Sequence, residues 1–268
     1  MRFLSCVPTR ETPLMEYELT LLSLVALVLA GFIGGFVNTF AGGGSMLTVP
    51  ALLFLGLPAD IANATNRIGV LLSSVTGAKG FHKNNYLDTG AIIPVLVPTV
   101  AGAFLGAVLA SYLPVWLLKP VLLSTMIGMA FIMLVFPTMV APVEGTKSYS
   151  LKERPIVALG LFAAGIYGGF VQAGVGFVLI VALAGGLRYD LWRTNALKMV
   201  CTSVFCFVAL VIFVSRGQVL WIPGLILAAG MVTGALLSVK FALNVSQNTL
   251  KWLLFVMVTL ACGGAFFS

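Results

Sequence analysis

Two cations stand inside apolar sequence that offers them no counter-ion. Arg67 follows Thr65 and Asn66 at the opening of one apolar run, and Lys198 stands three residues after Asn195 in a run that opens Thr194-Asn195. A charge at the centre of a membrane helix costs about 2.5 to 3.5 kcal/mol on insertion scales, so it marks function by default. The nearest acids upstream, Asp60 and Asp190, are seven and eight residues away. Either the cations reach a headgroup or those aspartates, or they face a shared anion site. Two glycine clusters favour the second reading. Gly42-Gly43-Gly44 and Gly174-Val175-Gly176 interrupt apolar runs, and glycine lets backbone N–H groups approach a ligand without a Cβ in the way. A short helix starting just after such a break points its free N–H groups and positive dipole end back at it. With Ser45, Asn38, Gln172 and the two Thr-Asn pairs, these ends predict a donor-rich cavity suited to an anion. Asp60 and Asp190 are weaker candidates for coupling.

The elements that must position these groups are apolar helices. Of 268 residues 60% are hydrophobic and 9% are charged, with a mean hydropathy of +1.11; soluble domains carry about 25% charged residues. A span needs about 20 apolar residues. Eight runs qualify, near 17–41, 64–80, 90–112, 117–140, 155–174, 194–214, 219–243 and 250–267. Two shorter runs, 45–57 and 177–187, each follow a glycine cluster and read as re-entrant or half-membrane helices. GxxxG pairs at Gly31/Gly35, Gly102/Gly106, Gly165/Gly169 and Gly230/Gly234 read as close helix packing.

The pattern occurs twice. GGFVNTFAGGG at 34–44 returns as GGFVQAGVG at 168–176, and TNRIGVLLSSV at 65–75 returns as TNALKMVCTSV at 194–204, in the same order. This predicts a tail at 1–16, a repeat at 17–140, a linker at 141–154 and a second repeat at 155–268. Eight crossings from a cytoplasmic N-terminus leave the loop cations in excess inside, with Lys83 inside and Lys240 outside. Ten crossings invert one repeat against the other and give an excess inside as well, so charge does not choose between them. Segment length favours eight.

Other chemistry finds little support. The net charge of +7 fits loop lysines and arginines beside anionic headgroups rather than nucleic acid, since no basic run is present. Cys6, Cys201, Cys206 and Cys262 form no metal spacing and read as packing residues. His82 reads as a solvated loop residue. No HExxH, GxSxG or paired intramembrane carboxylate occurs, and Gly42 to Ser45 lacks the lysine of a P-loop. The chain reads as a non-enzyme without a cofactor. With no buried proton relay in view, outward movement of an anion fits best, because each negative charge leaving a negative-inside cell gains about 2.3 kcal/mol per 100 mV.

The sequence GGFVNTFAGGGSMLTVPALLFLGLPADIANATN at 34–66 resembles the sulfite exporter TauE/SafE family. The resemblance rests on the glycine triplet, on Val49, Pro50, Leu52, Leu53 and Gly56, and on Ala64-Thr65, and it extends over about residues 20–267. It implies a multi-pass permease of the bacterial inner membrane with two homologous halves, exporting sulfite, sulfonates such as sulfoacetate, or related sulfur oxyanions. The second copy has Ala-Gly-Val-Gly in place of the triplet, and Thr-Asn stands twice where the family commonly has Thr-Ser. The resemblance therefore speaks to fold more than to substrate. The expectation is an all-α integral membrane protein of about eight transmembrane helices in two homologous halves, each with a glycine break and a short half-membrane helix. Its partners would be a small anion and the bilayer, with homo-oligomerisation left open. A membrane assembly or accessory protein without transport is the alternative.

Overall fold

The computed structural model describes residues 3–7, 15–40, 42–135, 142 and 146–244. The expected span at 250–267, with Lys251 and Cys262, lies outside them. The described chain is helical except for one short ladder near its start. There β1 (Phe3–Val7) pairs antiparallel with β2 (Met15–Leu19), Phe3 opposite Leu19, so the expected tail is in part strand.

Each long run that lies among the described residues forms its helix there. α1 is Leu21–Phe40, α2 Ser45–Phe54, α3 Ala59–Lys83, α4 Thr89–Tyr112 and α5 Val115–Val135; then come α6 Ile156–Phe170 and α7 Val175–Ile180, which continues as a π-helical turn at Val181–Gly186. α8 (Leu191–Ser215) and α9 (Trp221–Asn244) complete the described set. The starts are set by local chemistry. The Asp88 carboxylate accepts from the amides of Gly90 and Ala91 and caps α4; that of Asp190 accepts from Arg193 and caps α8. His82 is exposed in the last turn of α3 rather than in a loop.

α1, α4, α8 and α9 are long and apolar enough to cross a membrane. The 10 residues of α2 reach only about 15 Å at 1.5 Å per residue, half of a bilayer core. The surface is inverted relative to a soluble protein: Leu22 and Trp116 are 80% and 76% exposed, while Arg67 and Lys198 are fully buried. Apolar side chains outside and polar groups inside are what lipid solvent selects.

The GxxxG pairs pack across the two parts of the chain. α1 lies along α9, where a Cβ on Gly35 would stand 2.1 Å from the Met231 carbonyl oxygen; α6 lies along α4, where one on Gly169 would stand 2.1 Å from that of Ala103. The partner glycines Gly230, Gly234, Gly102 and Gly106 are as tightly opposed. Close backbone approach, the reading made from spacing, is what these glycines permit.

The short helices bring the chain back to the face it came from. The start of α1 and the end of α2 share one groove, lined by Thr20, Leu22, Ser23, Phe54 and Leu55. On the other side the Tyr149 amide donates to the Leu187 carbonyl (2.8 Å) and Arg154 Nη1 to that of Gly186 (3.2 Å), so the start of α6 and the end of the π turn sit together. The described part of the linker is pinned rather than loose: Arg154 also stacks on Tyr149, and Glu153 accepts from the Ser150 amide and hydroxyl. Lys83 and Lys240 line one groove between the ends of α3 and α9, where the eight-crossing reading expects them on opposite sides.

Candidate functional site

The two glycine breaks meet inside the protein. The Gly176 amide donates to the Gly42 carbonyl at 3.3 Å, and a Cβ on either glycine would lie 2.3 Å from the other's Cα. Gly42 and Gly174 both adopt φ of +79°, a left-handed conformation that favours glycine. Gln172 adopts φ of +72° without that freedom, as the left-handed residue just past the end of α6. Met46 and Met129 close over Gly174, with their side chains 2.7 and 2.5 Å from where its Cβ would be.

Arg67 holds the end of α6. Its Nη1 donates to the Gly168 carbonyl and to Gln172 Oε1, and its Nη2 to the carbonyls of Gly169 (2.8 Å) and Phe170 (3.4 Å). The Phe213 ring centroid lies 5.5 Å from its Cζ. Helix C-termini leave carbonyls unpaired and carry a partial negative charge of about half a unit, so a guanidinium fork suits this place. Cys206 Sγ also donates to Gln172 Oε1 (3.0 Å), and Asn63 Nδ2 donates to the Phe170 carbonyl (2.8 Å). Among the described residues Arg67 Nε has no hydrogen-bond partner.

Lys198 plays the corresponding part for α1. Its Nζ donates to the Thr39 carbonyl (2.9 Å) and to Asn195 Oδ1 (2.7 Å), while Asn195 Nδ2 has no partner among the described residues. The two cations thus do not share a ligand position at first hand. Each comes from one part of the chain and ties down a helix end of the other, a use the sequence reading did not foresee.

The remaining predicted residues divide. Asn66 reaches the start of α2: its Nδ2 donates to Ser45 Oγ (3.0 Å) and its Oδ1 accepts from Thr48 Oγ1 (2.6 Å). Asn38 lies against α3, with Nδ2 3.5 Å from Ser74 Oγ. Among the described residues the amides of Gly43 and Gly44 have no acceptor. Thr65 and Thr194 serve the scaffold: Thr65 Oγ1 accepts from the Leu220 amide ahead of α9, and Thr194 Oγ1 donates to the Tyr189 carbonyl. Asp190 is occupied as a cap and in an ion pair with Arg193 (3.5 Å). Asp60 keeps one buried oxygen, Oδ1, with no partner among the described residues.

Thr48, Asn63, Cys206 and the carbonyls at 168–170 are site groups that sequence reasoning missed. Asn63 alone had a signal, since Asp60, Asn63 and Arg67 recur at helical spacing on one face of α3. At the linker face the Tyr189 hydroxyl donates to Asp88 Oδ2 (2.9 Å). Burial, then the adjoining Asp88, pushes this phenol up to about 12.

Comparison with known proteins identifies the family. The family model for the sulfite exporter TauE/SafE matches residues 27–264. A probable membrane transporter protein of Haemophilus influenzae is 26% identical over 249 residues, covering 91% of this chain and 93% of that protein. A probable membrane transporter protein of Sinorhizobium, ORF9, is 30% identical over 240 residues, with 89% and 90% covered. The Escherichia coli K12 protein YfcA, also named a probable membrane transporter, is 24% identical over 230 residues, with 86% and 84% covered. Buried cations, broken helices and an apolar exterior accompany a match over most of the sequence: this chain is a multi-pass bacterial membrane protein that belongs to the sulfite exporter TauE/SafE family.

Proposed function

We propose that the protein is a secondary transporter that exports a small sulfur-containing anion, sulfite or a sulfonate such as sulfoacetate, through the junction of the two glycine breaks. The observation that carries this reading is the contact of Gly42 with Gly176 beside two buried cations. Discontinuous helices crossing near the midplane are how many transporters build a site that two repeats can expose in turn. The residues 17–140 and 155–268 act as those repeats.

The electrostatics favour an anion even with both cations engaged. A helix end offsets about half of a unit charge, so each cation leaves about half a positive unit. The start of α2 adds the amides of Gly43 and Gly44, which have no acceptor among the described residues, and the Ser45 hydroxyl. Among the described residues Arg67 Nε and Asn195 Nδ2 are buried side-chain donors with no partner; Gln172 meets Arg67, and Asn38 lies against α3. Asp60, at the opposite end of α3 from Lys83, is the better of the two coupling candidates.

The cation-rich face is cytoplasmic in this reading. Lys79, Lys83, Arg188, Arg193 and Lys240 lie with the linker cations Lys147, Lys152 and Arg154 on one side, and Lys119 and Arg216 on the other. That asymmetry follows the positive-inside rule.

The test is flux in liposomes loaded with sulfite, sulfoacetate, thiosulfate or chloride under an imposed potential. Potential-driven efflux of a sulfur anion, with chloride slower, is expected. Absence of flux for every anion overturns the proposal.

A further inference from the structure

We infer that the groove between the C-terminal ends of α3 and α9 binds the headgroup of an anionic phospholipid. This site is separate from the glycine junction and does not rest on the transport reading.

The groove encloses about 460 Å³ and combines Thr76, Lys83, Asn84 and Lys240 with the apolar side chains of Leu236 and Leu243. Both lysines are exposed, and among the described residues neither forms an ion pair. They are not needed at their own helix ends. Asn84 Nδ2 donates to the Gly80 carbonyl and Asn244 Nδ2 to that of Lys240, each at 2.8 Å. The equivalent junction at the opposite face is closed by its own side chains: Arg216 stacks on Tyr112 at 4.2 Å, and Gln218 Nε2 reaches the Ser111 carbonyl at 3.5 Å. One end of the bundle spends its cation internally, while the other leaves two ammonium groups over an apolar floor.

Charge complementarity and place choose the occupant. The groove opens on the cation-rich face between lipid-exposed helices, where a phosphate can sit on the lysines while the acyl chains follow Leu236, itself 50% exposed. A lysine close to an anionic headgroup contributes about fivefold in affinity, so the pair gives a preference of about twenty-five-fold.

The test uses the full-length protein in nanodiscs of mixed phosphatidylglycerol and phosphatidylcholine, with retained lipid read by native mass spectrometry. Wild type should retain phosphatidylglycerol preferentially, K83Q/K240Q should lose that preference about tenfold or more, and K83R/K240R should keep it. K119Q, on the opposite face, should behave as wild type. Unchanged retention in K83Q/K240Q overturns the proposal. If that double variant does not fold, each single glutamine variant must lose part of the preference, and wild-type retention in both overturns it. Displacement of the lipid by millimolar inorganic phosphate would assign the groove to a soluble anion and overturn the lipid assignment.

Discussion

The ends of α6 and α1 are held by different chemistry. Arg67 spreads two nitrogens over three carbonyls and Gln172 Oε1, whereas Lys198 offers one nitrogen to one carbonyl and Asn195. A planar fork fixes direction as well as distance; an ammonium on a flexible stem fixes only distance. The left-handed position differs in the same sense, Gln172 with a side chain that joins the network at one end and Gly42 with none at the other. The α6 end is therefore held by more contacts than the α1 end.

The strongest way to break that comparison is to separate the halves at their contact. Gly42→Ala places a Cβ 2.3 Å from the Gly176 backbone at a φ of +79°. Overpacking of about 1–3 kcal/mol and about 1–2 kcal/mol of left-handed strain add to a loss of several kcal/mol, read as a large fall in thermal midpoint and loss of flux. Gly56→Ala, at φ of +91° with open space around it, should show only the strain. Equal effects would mean that the glycine contact is not the tight point.

Arg67 and Lys198 come next. Removing Arg67 leaves the carbonyls at 168 and 169 and Gln172 Oε1 short of a donor, and a buried unsatisfied group costs about 1–3 kcal/mol, so Arg67→Ala should lose several kcal/mol in detergent unfolding. Lys198→Ala, with one carbonyl left unpaired, should cost about 1–3 kcal/mol. Arg67→Lys should resemble the alanine variant more than the wild type. A larger loss at Lys198 would reverse the ranking of the two ends.

Smaller effects test the linker face. Tyr189→Phe removes one hydrogen bond, about 1 kcal/mol. The buried phenol titrates near 12 instead of 10, so its contribution is full below pH 10 and is lost as pH rises toward 12. The variant should be less stable than wild type at pH 9 and equal to it at pH 12, measured by thermal unfolding. Cysteines at Lys152 and Lys119 sharpen the orientation: an impermeant maleimide applied to whole cells should label Lys119→Cys and leave Lys152→Cys unlabelled.

Much of the architecture is legible in the residues. Apolar runs place the described helices, because a backbone in lipid has few ways to satisfy its hydrogen bonds. The glycine spacing places the close contacts, since only the absence of a Cβ permits them. Arg67 and Lys198 are legible as buried cations, but their partners are not: carbonyls at 168–170 and 39 carry no side-chain signature. The return of α2 to its starting face is hidden for a related reason. Length identifies a helix too short to cross, while the face at which it exits depends on packing against α1.

The exchange of cations has a consequence for synthesis. The carbonyl of Thr39 waits for a lysine made 159 residues later, and the end of α6 uses an arginine inserted about 100 residues before it. The N-terminal part therefore leaves the ribosome with one helix end unfinished, and the C-terminal part enters the membrane with its clamp already waiting. Order of insertion, as well as sequence, is written into which residue was given to which half.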